Sequence, residues 1–252
     1  MKRNKKNKLF YENLSDDFEV PVDVFSEKML QEYGAFFIAR NSVVSPNKIV
    51  FENEREVSEW QKNVKSSKAT IAGFQIELQA AAMKNLKKAI KEAKENNLTI
   101  TPRGADAARR SYADTVSLWL SRVNPALLHW FEKGRLTESQ AEKIRSLSPF
   151  EQVPEIFRLE AKGIFFSKDL SKSIIYSVAP PGTSQHLSML ALDIQEHCNA
   201  HVREILVRHK WFQTVISDLP HFTYLGIAEN ELESFGLKKV DDDGRVFWIP
   251  DL

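Results

Sequence analysis

The chain has 252 residues, 42% hydrophobic and 27% charged, with a formal net charge of +1. That is the composition of an ordinary soluble globular protein, long enough for one large domain or one domain with an extension, and its charge gives no general argument for a nucleic-acid or membrane-surface partner. The single cysteine, Cys198, excludes an internal disulfide and a cysteine-based zinc site, and no apolar run of about 18 residues is present to span a membrane.

Lys2, Arg3, Lys5, Lys6 and Lys8 crowd the start of the chain. Such a cluster opens many secretion signals, but Leu9-Phe10-Tyr11 runs straight into Glu12 and no apolar core follows, so the reading is a solvated N-terminus. Val20-Pro21-Val22, Phe36-Phe37-Ile38 and Ile49-Val50-Phe51 read as short extended pieces. Glu52 to Val64 reads as a helix, with Val57, Trp60 and Val64 at helical spacing. Ser66-Ser67-Lys68 breaks that pattern and is the expected boundary: residues 1–70 form an N-terminal extension packed on a main domain of residues 71–252. Phe74 to Asn96 reads as one helix with Leu78, Ala82, Leu86, Ala89, Ile90 and Ala93 as its apolar stripe.

Leu98 to Thr101 is β-prone and Pro102 ends it. Asp106 is the expected N-cap of a helix to Val123, followed by helices at Ala126–Lys133, Thr137–Ser146 and Val153–Ala161; Thr137 and Gln140 have capping-box spacing. Strands are expected at Ser173–Val178, Leu190–Ile194, Phe212–Ile216 and Phe222–Leu225, with a helix at Ala200–His209. Asp242-Asp243-Gly244 reads as a hairpin turn between Leu237–Val240 and Arg245–Ile249. Helices pass into strands without a βαβ rhythm, so the expected class is α+β: a small, mainly antiparallel sheet flanked by helices, with a mostly helical N-terminal part.

The chemistry-bearing residues lie where the strands concentrate. Pro180-Pro181-Gly182 forces a tight approach to Ser184 and His186. Asp193, in an apolar strand, is costly to bury unless something compensates its charge, and a cation does so. His221 opens a strand in which it shares a face with Thr223. Two histidines and a carboxylate are a usual ligand set for hydrolytic zinc, with hydrogen-bonded structural groups as the alternative. His197 and His201, four apart, are read as a helix start in preference to a second metal site. Asp241-Asp242-Asp243 lacks the spacing of a calcium loop.

The pattern Ser184-Gln-His186, six residues, Asp193, then Asp218-Leu-Pro-His221 resembles the zinc D-alanyl-D-alanine carboxypeptidases and dipeptidases, the family of vancomycin-resistance peptidases and L,D- or D,D-carboxypeptidases of bacterial cell walls. The resemblance covers roughly residues 75–226. It implies that His186, Asp193 and His221 hold Zn²⁺, that Asp218 is the general base and that Ser184 contacts the substrate near the scissile bond. It also implies an arginine that grips the terminal carboxylate: Arg110 by its spacing to Ser111-Tyr112 and the next helix, or Arg103 by its place after the strand Leu98–Thr101. The sequence departs from the family pattern at Asp218 (usually glutamate), Met189 (usually glycine), Pro220 (usually tryptophan) and Thr115 (often glutamine). The implied activity is zinc-dependent hydrolysis near the C-terminus of a peptidoglycan stem or similar D-amino-acid peptide. The alternatives are an endopeptidase of the same fold and a catalytically silent module that binds wall peptides. Such a substrate implies the periplasm or cell surface, although no complete export signal is visible and a cytoplasmic enzyme acting on recycled fragments stays open.

Overall fold

Separate helices and short antiparallel sheets make up the chain, which is α+β as expected. The structure, a computed structural model, describes residues 8–252, so Lys2, Arg3, Lys5 and Lys6 fall outside the described residues. The helices are α1 (Lys8–Glu12), α2 (Val24–Tyr33), α3 (Glu54–Lys62), α4 (Ala80–Glu95), α5 (Tyr112–Glu132), α6 (Glu138–Ser146), α7 (Pro149–Glu160) and α8 (Ala200–Arg208). The strands are β1 (Ser66–Ile71), β2 (Phe74–Gln79), β3 (Ala191–Asp193), β4 (Trp211–Phe212), β5 (His221–Tyr224), β6 (Leu237–Asp242) and β7 (Arg245–Pro250).

The chain divides into two compact units, one of Met1–Ile49, Glu59–Arg110 and Gln185–Leu252, the other of Val50–Ser58 and Ser111–Ser184. Residue 70, the expected boundary, falls inside β1. The first unit is built around the antiparallel sheet β3-β5-β4, whose Trp211, Phe212, Phe222 and Tyr224 are almost wholly buried. The hairpin β6-β7 turns at Asp243 (φ 50°) and Gly244 (φ 72°), the pair of left-handed residues that a tight hairpin requires.

In the second unit α5, α6 and α7 bury Trp119, Val123, Leu127, Ile144 and Ile156, and the Trp119 indole N–H donates to Gln152 Oε1 at 3.0 Å. Glu160 is buried there as a carboxylate acceptor for the backbone N–H groups of Ile174 (2.7 Å) and Phe166 (3.3 Å). Gly182 has φ 81°, and a Cβ on it would lie 1.8 Å from the Phe51 carbonyl oxygen, so the Pro180-Pro181-Gly182 turn needs its glycine.

Several expected elements differ. The single helix expected over Phe74–Asn96 is a strand followed by a helix. Ile76 and Leu78 are buried while Gln75 and Glu77 are more exposed, a period of two that merges at Leu78 with the helical stripe of α4. Ala72 (φ 50°) and Gly73 (φ 87°) form a tight turn that pairs β2 with β1, so Ser66-Ser67-Lys68 is paired strand and not a breaker. The N-cap of α5 is Ser111, not Asp106: Ser111 Oγ accepts from the Asp114 N–H and the Asp114 carboxylate accepts from the Ser111 N–H. α5 then runs 21 residues through Pro125, joining two expected helices. Phe36-Phe37-Ile38 and the core of Ser173–Val178 are 3₁₀ turns (Gly34–Ile38 and Ile174–Tyr176), short apolar runs whose period is ambiguous. Val20–Val22, Ile49–Phe51 and Leu98–Thr101 form no regular strand, although Pro102 bridges Ile194. β4 keeps only the first residue of Phe212–Ile216.

Candidate metal centre

Two of the candidate ligands meet because of strand register. β3 and β5 run antiparallel with Asp193 directly opposite His221, and directly opposed residues have Cβ atoms about 5 Å apart. The third comes from the 3₁₀ turn Gln185–Ser188 immediately before β3. That turn leaves through Met189 at φ 55°, the left-handed conformation that glycine adopts without strain and that costs other residues roughly 1–2 kcal/mol. Met189 takes this conformation while buried.

The side chains converge closely. His186 Nε2 lies 3.2 Å from His221 Nδ1 and 3.3 Å from Asp193 Oδ1, and His221 Nδ1 lies 3.2 Å from Asp193 Oδ1. The outer nitrogen of each ring is already committed. His186 Nδ1 donates to the Ala108 carbonyl at 2.7 Å, and His221 Nε2 donates to Gln185 Oε1 at 3.0 Å. The Gln185 amide orientation follows from its other contacts: Nε2 donates to the Tyr33 carbonyl at 2.8 Å, and Oε1 also accepts from the Thr223 hydroxyl. In the neutral tautomers set by these bonds, both inner nitrogens present lone pairs. With the outer nitrogens so engaged, His186 Nε2, His221 Nδ1 and Asp193 Oδ1 all face one shared point.

A divalent cation fits this arrangement. A tetrahedral zinc with bonds of about 2.0–2.1 Å sets ligand–ligand edges of about 3.3 Å. The three measured separations match that edge, whereas a single proton would bridge only one of the three pairs. Asp193 is prepared as a one-oxygen ligand, because its Oδ2 accepts from Arg110 Nη2 at 2.8 Å. Outer partners of this kind fix ring orientation and tautomer in metal sites.

The backbone around the group is held on several sides. The Asp193 N–H donates to the Ala107 carbonyl at 2.8 Å, and its carbonyl accepts from the Arg103 N–H at 3.0 Å. Gln61 Nε2 donates to the carbonyls of Arg110 (2.9 Å) and Leu187 (3.0 Å), and Gln79 Nε2 donates to that of Ser188 (2.8 Å). Burial pushes His186 below its ordinary pKa, and Arg110 and His221 add to this against the pull of Asp193, so the ring is neutral at pH 7. Burial opposes the charge on Asp193, yet its contacts with His186 and His221 hold the carboxyl well below the ordinary aspartate value.

The structure thus brings His186, Asp193 and His221 together, with Arg110 on Asp193 and the Asp218 carbonyl accepting from the His221 N–H. Asp218 is exposed on the turn before β5, and its charge acts on His197. Arg103 is exposed, with its backbone on Asp193. Arg110 is mostly buried, and its guanidinium is engaged by Asp193 and by the Asp106 carbonyl at 3.1 Å. Ser184 is buried and belongs to the second unit. His197 and His201 join no metal-sized group among the described residues; His201 lies in the first turn of α8, 3.3 Å from Glu204. Sequence reading missed Gln185, Gln61 and Gln79. Gln185 alone carried a signal, lying between the serine and histidine of the motif.

The fold and the site define an α+β chain with a buried His–Asp–His group of metal-binding geometry. No family model matches the chain, and no curated protein does. Among solved structures it is similar to a mutant of the vancomycin resistance D,D-pentapeptidase VanY from a VanB-type resistance cassette, in complex with Zn(II). The TM-score is 0.41 and the identity 15%, over 73% of this chain and 87% of that one.

Proposed function

We propose that this chain is a zinc-dependent carboxypeptidase that hydrolyses a peptide bond near the C-terminus of peptidoglycan stem peptides, of the D-Ala-D-Ala type. One observation carries the reading: the facing atoms of His186, Asp193 and His221 lie 3.2–3.3 Å apart, the spacing of ligands around one shared cation. When bound, zinc supplies Lewis acidity and a nucleophilic water at neutral pH.

The chain's own groups take the remaining roles. His186 offers Nε2, His221 offers Nδ1 and Asp193 offers Oδ1. Asp218, three residues before His221, takes the proton of the attacking water and returns it to the leaving amine, a role worth about 10²–10⁴-fold in rate. Arg110 holds the second oxygen of Asp193, which leaves the exposed Arg103 as the better partner for a substrate carboxylate. Ser184 contacts the peptide near the scissile bond. The substrate class puts the work in the periplasm or at the cell surface.

Elemental analysis of the wild type beside His186→Ala tests the metal, and product analysis on purified muropeptides tests the cut. Zinc near one equivalent in the wild type only, with release of free terminal D-Ala, is the expected result; longer fragments point to an endopeptidase. The exposure of Asp218 favours one second reading, a module that binds metal and wall peptide without hydrolysis. Zinc and peptide binding with no turnover, unchanged by Asp218→Ala, would establish it.

A further inference from the structure

A second constellation in the first unit lies at the start of α8 and has no part in the metal group. Arg203 Nη1 donates to the carbonyls of His197 (3.1 Å) and Cys198 (2.9 Å). Arg245, from β7, donates through Nη1 to the same His197 carbonyl at 3.2 Å, and its Nη2 lies 3.3 Å from Cys198 Sγ. Two guanidinium groups are thus drawn within a few ångströms of each other onto one neutral oxygen. No carboxylate of the described residues lies within 4.0 Å of either. Like charges held so close repel, and Glu204 offsets the charge of Arg203 through space without forming an ion pair with it. The imidazole beside them registers the field: burial lowers the pKa of His197, and Arg245, Arg103 and Arg203 lower it further against Asp218.

A cavity of about 260 Å³ opens beside Arg203. Arg203 lines it, and so do Gly244 and Val246, the chain neighbours of Arg245. Val207, Phe222 and Val246 give it apolar walls, and Glu204 and Glu229 also line it. Phe222 alternates with His221 along β5, so these walls lie on the opposite sheet face from the metal group.

We propose that Arg203 and Arg245 form an anion site at the mouth of this cavity, and that its ligand is a small carboxylate with a short apolar body. The paired guanidinium forks match a carboxylate, the apolar walls receive the chain behind it, and the two glutamates disfavour a dianion such as phosphate. The site does not rest on the metal reading, since none of its residues belongs to the His–Asp–His group.

The test is titration of the full chain with sodium butyrate against sodium chloride at equal ionic strength. Binding is followed through the side-chain Nε–H signals of Arg203 and Arg245 in ¹H–¹⁵N spectra and through Tm. Butyrate should shift both signals saturably and at lower concentration than acetate or phosphate. Butyramide, of the same shape without the charge, should not shift them. Arg203→Gln or Arg245→Gln should each weaken binding at least tenfold; both positions are at the surface, so at least one variant should fold, and circular dichroism checks this. A butyrate response no greater than that of chloride or butyramide, or one that survives both substitutions, overturns the proposal. His186→Ala should leave butyrate binding unchanged, so failure here and failure of the peptidase reading give different results.

Discussion

Asp193 and His221 are direct cross-strand partners in β3 and β5, and their facing atoms, Oδ1 and Nδ1, lie 3.2 Å apart. Sheet register alone sets this pair, and the turn carrying His186 completes the triangle. Removing any corner should therefore abolish the centre. His186→Ala, His221→Ala and Asp193→Asn should each reduce zinc to background in elemental analysis. In the wild type, zinc should raise Tm and a chelator should reverse the rise, because the ion binds the folded state alone.

Gln185 orders the site without facing the ion. Its Oε1 selects the His221 tautomer, and its Nε2 anchors the turn to the Tyr33 carbonyl. Gln185→Leu should weaken zinc binding about 10–100-fold in a chelator competition. It should also lower stability by roughly 1–3 kcal/mol in urea unfolding, since buried donors and acceptors lose their partners. In the metal-free protein the variant should show mixed His221 tautomers by ¹⁵N shifts, where the wild type shows one.

How much of this the sequence disclosed depends on the range of the interactions. The ligand spacing and the strands bearing Asp193 and His221 were legible, because alternation and motif are local signals. The β1-β2 hairpin was not: its turn is Ala72-Gly73, and an alanine at φ 50° gives no turn signal. Glutamine amides reaching from Gln61 in α3 and Gln79 in β2 to the carbonyls of the 185–189 turn are contacts across more than 100 residues, which no local pattern announces. The sequence favoured Arg110 slightly over Arg103 for the substrate carboxylate and gave no sign of the contact of Arg110 with Asp193.

The metal-free protein should lose stability as pH falls below about 6.5. The folded-state pKa of His186 is lowered from 6.5, so below that value the unfolded chain binds more protons and stability declines. Asp193 is held well below 3.8, so its contribution is present above that value and is lost on further acidification. Both act in the same direction in separate windows. Tm measured from pH 7.5 to 3 should fall in two stages, and His186→Gln should flatten the first stage and also weaken the second, because the contact with His186 helps to hold Asp193 low. An unchanged upper stage in that variant would assign the loss to another group.

Asp218 separates turnover from binding. It is exposed, so Asp218→Asn should leave the fold and the zinc content intact. If its carboxylate moves the proton, kcat on a muropeptide should drop about 10²–10⁴-fold. Asp218→Glu adds one methylene and restores the longer acid of the resembled family, so it should match or exceed the wild-type rate. A wild type whose kcat is indifferent to Asp218→Asn would move the base to another residue, and a wild type with zinc and peptide affinity but no rate would make the chain a binding module. Metal content, peptide affinity and kcat measured on the same three proteins decide among these outcomes.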